Sequence, residues 1–109
     1  MSYVDELLQA AEIPGGETYW DEQPTETFAA WGDRISSDGS DYGTELLVHE
    51  IEIELYELMD RPEPEAHERL QDVLNAQDPP LRWIKEPRML DLTLRLFMTI
   101  YKFSYTDRR

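Results

Sequence analysis

The sequence predicts an α+β fold in which a mostly antiparallel sheet packs against two helices as a two-layer sandwich. Three observations lead to this prediction. A helical pattern of apolar residues opens the chain, strict alternation follows in residues 47–55, and a second helical pattern lies between prolines. Elements in this order bury their apolar faces when helices pack on a sheet. The length of 109 residues suits one domain, residues 1–109.

The first predicted element is a helix over residues 2–12. Ser2 is a suitable N-cap, and Asp5 lies in the first turn, where a carboxylate is stabilised. The run Pro14-Gly15-Gly16 ends the helix. Its apolar positions recur at helical spacing and form one face: Val4, Leu7, Leu8 and Ala11.

Strands are predicted within residues 17–56. Two short candidates are Thr18–Trp20 and Thr27–Trp31, and residues 36–43 have the composition of a loop. A longer strand is predicted from near Glu45 to Tyr56, because apolar and acidic residues alternate along it. One face carries Leu47, His49, Ile51, Ile53 and Leu55, and the later part of the other carries Glu50, Glu52 and Glu54.

The second half of the sequence predicts a helix over residues 62–77 and strands within residues 81–105. Proline and glutamate suit the start of that helix, and Pro79-Pro80 prevents its continuation. Its face is formed by Ala66, Leu70, Val73, Leu74 and Gln77. Residues 90–105 fit either strands or a helical face; their β-branched and aromatic content favours strand. Near Leu96 the apolar residues move from even to odd positions, which indicates a β-bulge or a break between two strands.

The charge is large and uneven. The net charge is −14; residues 1–60 hold 16 acids and one base (a balance of −15), and residues 61–109 hold 8 acids and 9 bases (+1). Binding to nucleic acid or to an anionic membrane is not expected, because phosphate attracts Lys and Arg. The N-terminus resembles neither a signal peptide nor a membrane span, so we expect a soluble, cytosolic protein. A basic protein surface is the natural partner.

The sequence predicts no enzyme, cofactor or metal site. It contains no cysteine. His49 falls on the apolar face of a strand and His67 in the acidic start of a helix, so packed or surface roles are expected for both. Asp38, Asp41 and Glu45 could hold a hard cation, but their spacing matches no known calcium loop and a solvated turn is the simpler interpretation.

The acidic row Glu50, Glu52 and Glu54 has two interpretations. It is the solvent face of an antiparallel sheet, or it meets a basic partner, including a second copy of the chain. A head-to-tail contact would pair acidic residues of one copy with the basic segment of the next. The candidate interface residues are Asp38, Asp41, Glu50, Glu52, Glu54, Arg82, Lys85 and Arg88, with Arg95 in the same basic segment.

The order of segments resembles the tail-terminator (tail-completion) proteins of long-tailed bacteriophages and prophages. The resemblance rests on the N-terminal helix with its Leu-Leu pair, on IEIELYELMDRPEPEAHERLQDVL (residues 51–74), and on RMLDLTLRLFMTIYKFSY (residues 88–105) with Tyr101-Lys102-Phe103. The region 20–45, with PTETFAAW, departs from the family pattern. The resemblance covers half to two-thirds of the chain.

The resemblance implies a structural virion protein. Such proteins form a ring, usually hexameric, that caps the tail tube, stops its polymerisation and joins tail to head. The implied partners are further copies, the tail-tube protein and the head-tail connector, and the implied location is the host cytoplasm and then the head-proximal end of the tail. An alternative function is an acidic binding module, such as a DNA mimic that inhibits a nucleic-acid-binding protein; the acidity of residues 1–60 suits it.

Overall fold

The structure, a computed structural model, describes residues 2–17, 25–37 and 46–108. Two helices and six strands lie in these ranges. In chain order they are α1 (Tyr3–Ala10), β1 (Gly15–Glu17), β2 (Phe28–Ser37), β3 (Leu46–Leu58), α2 (Pro64–Asn75), β4 (Ile84–Lys85), β5 (Met89–Asp91) and β6 (Leu96–Arg108).

The strands form one sheet in the order β1-β2-β3-β6-β4, and β5 also pairs with β6. β1 runs parallel to β2, and every other pair is antiparallel. The long strands β3 and β6 make the central pair, from Leu46 opposite Arg108 to Leu58 opposite Leu96. The predicted α+β class with a mostly antiparallel sheet is therefore confirmed.

The core lies between the helices and one side of the sheet. α1 contributes Leu7 and Leu8, and α2 contributes Leu70 and Leu74. They pack with Ile53 and its neighbours on β2, β3 and β6. Both helices thus bury their apolar stripes on the same side of the sheet, as a two-layer arrangement requires. We call this side of the sheet the helix side, and the opposite side the far side.

The alternation in β3 has the predicted register. Ile51, Ile53 and Leu55 are buried on the helix side, whereas Glu50 and Glu52 are exposed on the far side. The strand continues past the predicted end at Tyr56, as far as Leu58. In this strand the hydrophobic pattern fixed the orientation, because a slip of one residue would turn every carboxylate into the core.

Both helices begin and end inside their predicted ranges. The Ser2 side chain accepts a hydrogen bond from the Asp5 backbone N–H at 3.1 Å, so Ser2 is the N-cap of α1 as predicted. α2 begins at Pro64, and Pro62 precedes it rather than lying in its first turn. α2 ends before Gln77, which was predicted to extend its stripe.

The closing segment is two strands separated by a turn. β5 pairs with β6 from Met89 opposite Met98 to Asp91 opposite Leu96, and residues 92–95 form the turn. The helical alternative for residues 90–105 is therefore wrong, and the break between strands explains the change in apolar phase. Leu92 and Leu94, which alternate as in a strand, are turn residues.

Several predicted boundaries differ from the structure. β1 begins at Gly15, where only a helix stop was predicted, because its backbone pairs with Ala29 of β2. β2 continues through residues 36–37, which were predicted as loop. β6 runs to Arg108, three residues beyond the predicted limit. The predicted strand Thr18–Trp20 and most of the predicted loop 36–43 lie outside the described residues.

Candidate functional site

The acidic row has cationic neighbours on both adjacent strands. Arg34 of β2 lies opposite Glu50, and its Nε is 3.4 Å from the Glu50 Oε2. Lys102 of β6 lies opposite Glu52, and its Nζ is 3.4 Å from the Glu52 Oε1. Antiparallel pairing places these side chains on one face, where opposite charges attract across strands.

Lys102 has a second acidic neighbour, and Glu54 has a hydrogen-bond partner on its own strand. The Lys102 Nζ also contacts the Glu86 Oε1 at 2.7 Å, and these hydrogen bonds raise the pKa of Lys102. Glu54 accepts a hydrogen bond from the Tyr56 hydroxyl, and burial together with this bond raises the pKa of Tyr56. Each glutamate of the row therefore has a partner within the chain: a cation for Glu50 and Glu52, and a hydroxyl for Glu54.

The predicted basic residues are divided between the two sides of the sheet. Arg82 lines a groove of about 690 Å³ that also contains Glu50 and Glu52. Lys85 and Arg88 instead line a second groove, beside α2. Asp38 and Asp41 lie outside the described residues. The structure therefore brings Arg82 to two of the predicted glutamates and separates Lys85 and Arg88 from them.

Exposed acids without an ion pair among the described residues lie mainly on the helix layer. Those in or beside the helices are Glu6 in α1, Glu12 just after it, and Glu65, Glu68 and Asp72 in α2; Glu26, Asp78 and Asp91 are further examples outside the helices. Unpaired negative charge on the described surface is thus not confined to β3, and the helices carry much of it.

The largest exposed apolar surface is at the β5–β6 hairpin. Leu92 is 73% exposed, Met89 is 58% exposed, and Leu90 and Leu94 are about half exposed. We call residues 89–95 the apolar hairpin. Ile84 in the neighbouring β4 is also exposed, and the only other exposed large apolar residue in the described ranges is Ile35. Contiguous exposed apolar residues commonly mark interaction sites.

A hydrogen bond and a backbone conformation shape the turn that carries these exposed apolar residues. The Asp91 side chain accepts a hydrogen bond from the Leu94 backbone N–H at 3.0 Å. Arg95 has a φ of 58°, the left-handed conformation that reverses the chain before β6. Asp91, a residue type common in turns, is the signal that could have marked this turn in the sequence. The alternating leucines around it instead suggested a strand, so these exposed residues were absent from the predicted interface.

A hydrogen-bonded polar cluster lies under α2, at the groove that Lys85 and Arg88 also line. The His67 Nε2 is 2.6 Å from the Glu57 Oε1, and its Nδ1 is 2.7 Å from the Tyr101 hydroxyl. Gln71 donates to the same hydroxyl, and the Glu63 backbone N–H donates to Glu57. Burial and the Glu57 carboxylate raise the pKa of Tyr101.

The cluster joins α2 to β3 and β6. Tyr101 is fully buried and Glu57 is 2% exposed. Both nitrogens of His67 are within hydrogen-bonding distance of other side chains. His67 is therefore bonded at both nitrogens while it lines the groove beside α2, so it combines the packed and surface positions that were predicted as alternatives.

His49 also lies on the helix side, as predicted. Its Nδ1 is 2.6 Å from the Asp33 Oδ2, and its ring stacks on Tyr105 with centroids 4.4 Å apart. No group of three or more His, Asp or Glu in the described ranges is placed to hold a metal ion. Neither described helix has the length and hydrophobicity needed to cross a bilayer.

No protein-family model matches this chain. A search of curated proteins likewise finds no match.

Proposed function

We propose that this protein is a structural assembly protein of a bacteriophage or prophage tail, acting as a tail terminator. In this role it forms a ring on the tail tube, stops polymerisation of the tube and offers a surface for joining the head. Its partners are further copies of itself, the tail-tube protein and the head-tail connector. The observation that carries the proposal is the exposed apolar hairpin.

The hairpin supports an assembly role because exposed apolar area is costly in water. Four large apolar side chains on one short hairpin keep about half or more of their area exposed. Burying such area stabilises an interface by roughly 25 cal/mol per Å² before the costs of association. A surface of this kind suits a protein that works through contact with other subunits.

A second candidate function is an acidic module that occupies the nucleic-acid site of a basic protein. The exposed acids of the helix layer support it, since Glu6, Glu65 and Asp72 lack ion pairs within the described ranges. The apolar hairpin has no part in that role, because mimicry of a phosphate backbone requires surface carboxylates rather than leucines. We therefore favour the assembly role.

Co-sedimentation tests the two functions. Tubes are assembled from the tail-tube protein of the same genome and pelleted with the chain and with a Leu92→Asp variant. The assembly role predicts that the wild type pellets with the tubes and that Leu92→Asp stays largely in the supernatant. Ile35→Asp, another exposed apolar position, is the matched control and should pellet like the wild type.

A different result would favour the acidic module. If neither protein pellets with tubes, and the chain instead displaces DNA from a basic DNA-binding protein with a strong dependence on salt, the assembly role is wrong.

A further inference from the structure

We propose that the groove beside α2 binds a small oxyanion, a phosphate or carboxylate group, through Lys85 and Arg88 at its rim and the Thr99 hydroxyl at its floor. The groove has a volume of about 730 Å³, and all three residues line it. The inference concerns a surface other than the apolar hairpin and does not depend on the proposed assembly role.

A β-bulge brings the two bases to this groove. In β4, Lys85 pairs with Tyr101, and in β5, Met89 pairs with Met98. Four residue steps on the outer strand, from 85 to 89, therefore oppose three steps on β6, from 98 to 101, so one extra residue lies between β4 and β5. Bulges re-aim side chains and are common beside functional sites. Here Lys85 and Arg88, on either side of the irregular segment, line the same groove.

Both bases are available to a ligand. Lys85 and Arg88 are exposed, and neither has an ion-pair partner among the described residues. The Arg88 guanidinium lies over the Phe97 ring at 4.0 Å. Stacking on the ring orients the plane of the guanidinium and leaves its N–H edge for the paired oxygens of a carboxylate or phosphate.

Most acids that line the groove already have partners. The Glu57 Oε1 lies 2.6 Å from the His67 Nε2, and the Glu86 Oε1 lies 2.7 Å from the Lys102 Nζ. Glu68 is the lining acid that has no ion pair within the described ranges. Two unpaired cations therefore share the groove with one unpaired acid, a local excess of positive charge in a chain of −14.

The floor of the groove holds a hydroxyl without a partner. Thr99 is fully buried, and its Oγ1 has no hydrogen-bond partner in the part of the chain that the structure describes. Burying a hydroxyl in this way costs free energy, so native proteins seldom keep one without a reason. An oxyanion seated between the floor and the two bases would accept a hydrogen bond from this hydroxyl and remove that cost.

The side chains next to Thr99 make the floor well ordered. The Tyr101 hydroxyl is 2.7 Å from the His67 Nδ1, and the Gln71 amide donates to the same hydroxyl at 3.0 Å. A binding site is most effective when the groups around its ligand are held in place by further hydrogen bonds. The polar cluster under α2 supplies that support.

Titration of the chain with inorganic phosphate, followed by backbone amide NMR signals, tests the inference. Ionic strength is kept constant with sodium chloride at neutral pH. We expect saturable shifts at His67, Arg88 and Thr99, with a dissociation constant on the order of 1–10 mM, and none at Glu50 on the far side. The net charge of −14 opposes diffuse attraction of anions, so saturation reports a specific site.

A parallel titration with acetate distinguishes the two sources of the oxyanion. Saturation at the same amides by phosphate alone would assign the site to phosphate groups, and saturation by acetate alone would assign it to carboxylates. Either result supports the inference.

Four variants locate the site. Arg88→Gln and Lys85→Gln should each weaken binding about tenfold or more, because each loses a charge-assisted hydrogen bond. Thr99→Val should weaken it about threefold without lowering the denaturant midpoint, because the unpartnered hydroxyl is removed. Arg82→Gln is the matched control and should bind like the wild type, since Arg82 is also an exposed base without an ion pair in the described ranges but lines the far-side groove.

Three results would overturn the inference. They are no saturable shift with either anion up to about 50 mM, equal weakening by Arg82→Gln and Arg88→Gln, or wild-type affinity in Thr99→Val. Because the titration uses the chain alone, a negative result leaves the assembly role standing. Loss of tube capping with anion binding intact would refute the assembly role instead.

Discussion

Replacing His67 with leucine is expected to lower the free energy of unfolding by about 3 kcal/mol, because it removes one partner of a buried pair. The Glu57 side chain is only 2% exposed and lies 2.6 Å from the His67 Nε2. Without the imidazole, the carboxylate keeps one backbone N–H and is otherwise buried without a partner. The Tyr101 hydroxyl also loses its bond to Nδ1.

Denaturant unfolding with a matched pair of variants checks this expectation. Glu65→Ala, on the exposed side of the same helix, should change stability by no more than about 0.5 kcal/mol. The double variant Glu57→Met with His67→Leu should recover part of the loss, since no carboxylate then remains buried without its partner. A loss in His67→Leu no larger than that in Glu65→Ala would contradict the role of the cluster.

Ile53→Ala is expected to cost about 2–4 kcal/mol, through lost burial and the cavity left behind. Ile53 is fully buried, in the middle strand of the sheet and under both helices. Glu50→Ala, three residues earlier on the far side, loses only the exposed contact with Arg34 and should change stability by about 0–1 kcal/mol. Similar losses in the two variants would contradict the register of β3.

The elements that could be predicted are those whose burial shows in local periodicity. The alternation around Ile51 and Ile53 and the stripes of Leu7, Leu8, Leu70 and Leu74 each repeat within a few residues. Such patterns indicate which face of a helix or strand is buried, even when the element that it packs against is not known. The packing of both helices on one side of a mostly antiparallel sheet followed from them.

The partners of the acidic row could not be predicted, because they come from distant parts of the chain. Lys102 meets Glu52 only when β6 pairs with β3 in one particular register. Arg82, Lys85 and Arg88 were grouped because they are close in sequence, but around β4 Arg82 lies on one side of the sheet and Lys85 and Arg88 on the other. Cross-strand contacts depend on the register in which two strands pair, and the sequence of one strand alone does not determine that register.

The apolar hairpin was missed for a different reason. Leucines at alternate positions indicate a strand with one buried face, and Leu90, Leu92 and Leu94 have that spacing. In the structure they are exposed around a turn, so burial within the chain does not account for them. A sequence that departs from its own folding pattern in this way is expected where a function needs the surface.

The length of tail tubes assembled with and without the chain tests its proposed role most directly. Electron microscopy of negatively stained tubes gives the length distribution for the wild type, Leu92→Asp and the control Ile35→Asp. The wild type and Ile35→Asp should end growth and narrow the distribution, with added density at one tube end, and Leu92→Asp should leave tubes as long as those grown without the chain. Unrestricted growth in the presence of the wild-type chain, or equal capping by Leu92→Asp, would contradict the account.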